Sequence, residues 1–120
     1  MKKLTLFGTI GALALDLLAM TAGPASAGAV DGPFEKHGCL PAKGCASYKL
    51  SFEKCRYAYA EAYACGDIDI YVYDHCGKLV AVDDECDGQP AVRFNPHYDW
   101  YTIKIVNREC HRVEFDLRTN

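Results

Sequence analysis

The chain has no surplus of basic residues: 13 Lys and Arg stand against 16 Asp and Glu among its 120 residues, a formal charge of −3. That balance argues against a nucleic acid or other polyanion as the main partner, because such binding depends on many cations displacing condensed counterions. No G-x-S-x-G, no H-E-x-x-H and no Gly-rich phosphate-cradling loop occurs, so the common nucleophilic, metalloprotease and nucleotide chemistries have no signature here. There is no C-x-x-C and no H-x₃-H spacing to organise a tetrahedral metal site. No internal repeat or low-complexity tract is present. The length allows one domain.

One long apolar run is present, and it sits at the start. Met1-Lys2-Lys3 is a short basic opening, followed by apolar sequence from Leu4 to Met20 and the small-residue end Ala25-Ser26-Ala27. A charged region, an apolar region and an A-x-A site make a secretory signal peptide over 1–27, cleaved after Ala27. A membrane anchor is the rival, since the run is near the lower length limit for a spanning helix. Asp16 inside the run and the breakers Gly8, Gly11, Gly23 and Pro24 weigh against it. The first cysteine is Cys39, too far on for a lipoprotein anchor. The expected product is therefore secreted or periplasmic, with no membrane attachment once the signal is removed.

Cysteine is plentiful: the chain has 7, all beyond the signal segment. In an exported domain this small, which buries only about 60–65% of its unfolded surface, disulfides are the default reading. An odd number leaves at least one thiol free or bonded to another molecule.

From 28 to 46 the chain is rich in Gly, Pro and Ala with no periodicity, which predicts a flexible lead-in. A single domain is expected over 47–120, where period-two alternation recurs. Tyr48, Leu50 and Phe52 form one row; Ile68, Ile70 and Val72 another; Ile103 and Ile105 a third; Val113, Phe115 and Leu117 a fourth. Turn chemistry separates them at Cys65-Gly66-Asp67, His75-Cys76-Gly77-Lys78, Asp87-Gly88-Gln89-Pro90 and Asn95-Pro96. Arg56-Tyr57-Ala58-Tyr59-Ala60-Glu61-Ala62-Tyr63-Ala64 has helix propensity, but its alternation predicts a strand. Short strands at this spacing predict an all-β, antiparallel sandwich or barrel.

Gly66-Asp67-Ile68-Asp69-Ile70-Tyr71-Val72-Tyr73-Asp74, followed by Gly77-Lys78-Leu79-Val80-Ala81 and Asp83, resembles the D-L-D-L-Y-V-Y-D…G-x-L-V-A…D pattern of bacterial pre-peptidase C-terminal (PPC) domains. Val92-Arg93-Phe94-Asn95-Pro96 and Trp100-Tyr101-Thr102-Ile103-Lys104-Ile105-Val106-Asn107 are similar to that family's continuation. Asp99 stands near where the family usually has Gly, and the cysteines are no part of its pattern. The resemblance implies a jelly-roll-like β-sandwich of the kind appended to secreted proteases, some of which bind calcium, matrix protein or carbohydrate.

Strands running up and down in order would put Cys55 and Cys76 at one end, and Cys65, Cys86 and Cys110 at the other. Cys55 and Cys65 would then stand about 30 Å apart at roughly 3.3 Å per residue, too far to bond. The expected disulfides are Cys55–Cys76, one pair within the trio, and Cys39–Cys45 closing a short loop.

Asp83-Asp84-Glu85-Cys86-Asp87-Gly88 opens like a calcium loop, with oxygen ligands at alternate positions before a Gly. Phe94 occupies the twelfth position, where that loop needs a bidentate Glu. Asp67, Asp69, Asp83, Glu85 and Asp87 are the candidate calcium ligands; the alternative is a solvated acidic loop that keeps a sheet edge soluble. The histidines His37, His75, His97 and His111 lie near cysteines in several places. Adjacent Cys and His on a strand would point to opposite faces, which argues against zinc and against a Cys–His nucleophile.

With Ile68, Ile70 and Val72 facing the core, Tyr71 and Tyr73 face out. If the alanines of the preceding strand also face in, Tyr57, Tyr59 and Tyr63 join them. Tyr57, Tyr59, Tyr71 and Tyr73 are thus the candidate ligand-facing residues, offering flat apolar area with polar tips. Cross-strand stacking, or cover by the lead-in, is the alternative. The expectation is a non-enzymatic binding or accessory module for an extracellular or periplasmic carbohydrate or protein ligand, with calcium or else no cofactor. A disulfide-stapled secreted inhibitor or effector of a protein target is the other reading.

Overall fold

A computed structural model describes residues 29, 30 and 32–120 of the chain. The expected signal segment 1–27 lies outside the described residues. Within them every regular element is a strand: β1 (Glu35–Leu40), β2 (Cys45–Ser51), β3 (Ala58–Ala64), β4 (Ile68–Tyr73), β5 (Leu79–Asp83), β6 (Ala91–Phe94), β7 (Trp100–Asn107) and β8 (Val113–Thr119). They form two four-stranded antiparallel sheets, in the orders β1-β8-β3-β6 and β2-β7-β4-β5. No helix among the described residues is long and apolar enough to cross a membrane.

The alternation in the sequence becomes the two inner faces of this sandwich-like stack. Ile68, Ile70 and Val72 of β4, Tyr101, Ile103 and Ile105 of β7, and Val113, Phe115 and Leu117 of β8 are all buried. Each fully buried Ile, Leu or Phe contributes about 1.5–3 kcal/mol from the apolar area it removes from water. The alanines of β3 face the same core, and the register explains why they are small. Ala58 stands beside Phe94, Ala60 beside Val92, Ala62 beside Leu117 and Ala64 beside Phe115. Small residues next to large ones let the central strand fit between bulky neighbours, and this packing overrides alanine's helix propensity.

One glycine is required by the same logic. Gly38 of β1 pairs with Phe115, and a Cβ there would lie 2.6 Å from the ring's Cζ. The expected flexible lead-in over 28–46 is thereby corrected: it contains β1, hydrogen-bonded along β8, and the first residues of β2. The Gly- and Pro-rich composition that suggested a loose segment instead serves a close ring contact and the β1–β2 turn.

Every connection except the β4–β5 hairpin carries the chain from one sheet to the other. This overturns the expected disulfides. All seven cysteines are free and exposed, and no two lie at bonding distance. Cys39 and Cys45 flank a crossing. Cys39, on β1 between the inward Gly38 and Leu40, faces out from one sheet, while Cys45 faces out from the other beside Val106. Their side chains thus point away from each other despite the short loop between them. Cys39 instead accepts a hydrogen bond from Arg112 Nε at 2.7 Å. Cys55 and Cys76 are kept apart by the β6–β7 loop, whose Pro96 carbonyl accepts from Cys55 N at 2.8 Å and whose Tyr98 packs on His75. Cys65, Cys86 and Cys110 occupy three separate connections, and none meets another.

Candidate functional site

The crossing pattern splits the tyrosines. β3 belongs to one sheet and β4 to the other, so Tyr59 and Tyr63 look outward from the face opposite to Tyr71 and Tyr73. A single row of Tyr57, Tyr59, Tyr71 and Tyr73 does not form. Each strand does point its tyrosines outward, but the two strands are not neighbours. On the β3 side, Tyr57 is 64% exposed just before the strand, and Tyr59 is half-buried with its hydroxyl donated to Glu61 at 3.0 Å.

On the β4 side the rings make a platform. Tyr71 and Tyr73 stack with centroids 6.4 Å apart and planes 14° from parallel. Their cross-strand neighbours on β5 are Val82 and Leu79, which are 43% and 45% exposed; on β7 they are Lys104 and Thr102. Farther along the face of β7 and β2, Lys49 Nζ lies 3.8 Å over the ring of Trp100. Arg108 Nη2 donates to the Tyr71 hydroxyl at 2.6 Å and its Nε to Asp69 Oδ2 at 2.5 Å, so the polar tip of the platform is fixed.

The expected calcium ligands are only partly gathered. Asp83 is consumed by the backbone: its carboxylate accepts from Glu85 N at 3.2 Å and from Ala91 N at 2.9 Å, tying β5 to β6. Asp87 accepts from Gln89 N at 2.9 Å, and Glu85 is exposed. Asp84, Glu85 and Asp87 are exposed, as a solvated acidic loop would be, and the loop is tied down only after them, where Gly88 O and Pro90 O accept from Ala64 N and Ala62 N. Asp67 and Asp69 differ from the others. Each holds a buried carboxylate oxygen, Oδ1, with no hydrogen-bond partner. Burial, then the charges of Asp69 and Glu109, push the Asp67 carboxyl above its ordinary range, against the opposing pull of Arg108. Arg108 offsets the Asp69 charge through Oδ2, and the two Oδ1 atoms stay without a partner.

Asn107 sets up this end of the molecule. Its fully buried amide donates to Pro41 O at 3.0 Å and His111 O at 2.9 Å, and accepts from Glu109 N at 2.9 Å. Glu109 in turn accepts from Asp67 N at 2.8 Å.

The opposite end carries a feature that strand logic concealed. The β4–β5 turn is an Asx turn: Asp74 Oδ1 accepts from the backbone N of Cys76 and of Lys78, both at 2.9 Å, and Gly77 takes φ +81°. Those two amides hold the Asp74 carboxyl below its ordinary range, the bond from Lys78 contributing most. Because Asp74, His75 and Cys76 sit in a turn rather than a strand, their donor atoms converge to within 4.8 Å of one another. Cys76 Sγ lies 3.3 Å from His75 Nε2. The His75 ring packs on Tyr98 with centroids 4.2 Å apart. Beside them opens a cleft of about 320 Å³ lined by Asp74, Lys78, Val80, His97, Tyr98 and Tyr101, among others. Tyr101 closes its floor, its hydroxyl accepting from His97 N at 2.8 Å. The sequence signal was the run Asp74-His75-Cys76-Gly77, whose Gly marks a turn in which adjacent side chains need not diverge.

Compared with known proteins, the chain matches no protein-family model and no curated protein.

Proposed function

We propose that the chain is an exported, non-enzymatic binding module, a jelly-roll β-sandwich of the pre-peptidase C-terminal type, whose ligand is a carbohydrate chain lying across β4 and β5. The observation that carries this reading is the parallel stack of Tyr71 and Tyr73, flanked by exposed Val82 and Leu79. Flat, ordered aromatic area with polar tips suits the apolar faces and hydroxyl edges of sugar rings. The jelly-roll assignment is supported by the strand order, in which β8 lies between β1 and β3 while β7 lies between β2 and β4.

The test is binding of the purified protein to a panel of soluble glucans, xylan and chitin oligomers. Each ring is worth about 1 kcal/mol, so the Tyr71→Ala/Tyr73→Ala variant loses tenfold or more in affinity. Tyr59→Ala, on the opposite face, serves as the control and keeps wild-type affinity. Undiminished binding by the double variant moves the site off this face. Nanomolar binding to one protein target, with indifference to sugars, favours the inhibitor or effector reading.

Calcium enters this proposal in a narrower form, with Asp67 and Asp69 as its ligands. Their unpaired buried oxygens support it. A thermal melt in EGTA and across a calcium titration tests it: a saturable rise in midpoint is expected if calcium binds the native state alone, and a flat titration removes calcium from the proposal.

A further inference from the structure

The β4–β5 turn offers three chemically different donors: a carboxylate oxygen, an imidazole nitrogen and a thiol sulfur. Asp74, His75 and Cys76 bring these atoms within 4.8 Å of one another. From this convergence we propose that they form a binding site for a divalent ion of the zinc class, separate from the sheet face and from the Asp67–Asp69 pair.

Three observations carry it. The first is geometric. In a tetrahedral site with Zn–S of about 2.3 Å and Zn–N of about 2.0–2.1 Å, sulfur and nitrogen stand roughly 3.5 Å apart; Cys76 Sγ and His75 Nε2 are 3.3 Å apart. Bringing the carboxylate oxygen into the same shell needs a closure of at most about 1.4 Å. The second is preorganisation. Asp74 is 8% exposed and anchored by two backbone amides, and Tyr98 packs against the His75 ring, so two of the three donors are already oriented. The third is donor chemistry. A mixed oxygen, nitrogen and sulfur set suits zinc, whereas calcium and magnesium take oxygen alone.

On coordination the S–H bond of Cys76 breaks, its proton leaves to solvent, and the electron pair stays on sulfur to bind the metal. The ammonium of Lys78 lowers the affinity, because its charge acts on the same carboxylate. Three protein donors leave the fourth position to water or to a group entering from the cleft that Asp74 and Tyr98 line.

The probe is cobalt(II), titrated into the purified, reduced protein and followed by the near-ultraviolet charge-transfer band of a cobalt–thiolate bond. The expected result is saturation at one equivalent, with displacement by zinc. Cys76→Ser abolishes the band, His75→Ala weakens binding at least tenfold, and the Cys65→Ser/Cys86→Ser/Cys110→Ser variant keeps both band and affinity. Absence of the band, or its survival in Cys76→Ser, overturns the proposal, as does unchanged affinity in His75→Ala. A second measurement needs no variant. Zinc should slow alkylation of Cys76 by iodoacetamide at least tenfold while leaving Cys55 and Cys86 unaffected; uniform rates across the cysteines overturn it equally.

Discussion

Asn107 is the residue whose replacement reports most directly on how the acidic end is built. It is fully buried, and its amide makes three hydrogen bonds of 3.0 Å or less, to Pro41 O, to His111 O and from Glu109 N. Each such bond is worth about 1 kcal/mol net. Truncation to alanine loses all three, but Pro41 and His111 lie at the surface and their carbonyls regain some water. Asn107→Ala should therefore cost about 2–3 kcal/mol. Asn107→Asp keeps the acceptor for Glu109 N, yet turns both donors into an anionic oxygen facing two carbonyls inside the protein. That costs more, about 4 kcal/mol or above. Urea unfolding followed by Trp100 fluorescence measures both. With a slope near 1 kcal/mol per molar urea, Asn107→Ala lowers the midpoint by roughly 2–3 M, and Asn107→Asp lowers it by about 4 M or more. A midpoint shift under about 0.5 M for Asn107→Ala, or an aspartate variant more stable than the alanine one, would refute the account.

Two further outcomes follow from charges at known places. Arg108→Met leaves the buried Asp69 carboxylate without its cation. Because Arg108 is itself about half exposed, water recovers part of the loss, and the expected cost is about 1–3 kcal/mol; millimolar calcium should restore part of that loss if Asp67 and Asp69 hold the ion, and an Arg108→Met protein as stable as wild type contradicts the Arg108–Asp69 pairing. His37, on β1, lies between Asp116 at 2.8 Å and Glu114 at 3.4 Å on β8, and its pKa is raised above 6.5 chiefly by the Asp116 hydrogen bond. Its contribution is fully present below about pH 6.5 and is lost as pH rises through the raised value, so melting temperatures of wild type and His37→Gln should differ at pH 5.5 and converge by pH 9; a constant difference removes His37 as the cause.

Much of the strand content was legible, and the reason is physical. Alternation records which side chains a strand buries, so Ile68, Ile70, Val72, Phe115 and Leu117 declared their strands without help. Even the Ala-Tyr segment did so, against its helix propensity. Which strands pair was not legible, because pairing depends on whether a connection turns back along its own sheet or crosses to the other. That single ambiguity produced the main errors. It put Tyr59 beside Tyr71; Cys39 and Cys45 were drawn together for another reason, that their segment reads as a loop, whereas each stands on a strand and they face opposite ways. Cysteine number carried no such geometry: count speaks of compartment and size, whereas bonding needs Cβ vectors that meet.

The site residues divide along the same line. Asp67 and Asp69 were legible as carboxylates sharing a strand segment, but Asp83 and Asp87 looked identical to them in sequence. What separates the pairs is the supply of backbone amides. A carboxylate at the start of a turn is satisfied locally by N–H groups two residues on, as Asp83 and Asp87 are; one near a strand start, with its amides committed to neighbouring strands, has to find a side-chain partner or a cation. Asp69 found Arg108 for one oxygen and nothing for the other. Asp74 shows the reverse case, in which satisfaction by Cys76 N and Lys78 N is what draws the turn tight enough for His75 and Cys76 to converge. The same turn chemistry that removes Asp83 and Asp87 from the calcium set thus assembles the donors at the other end of the sandwich.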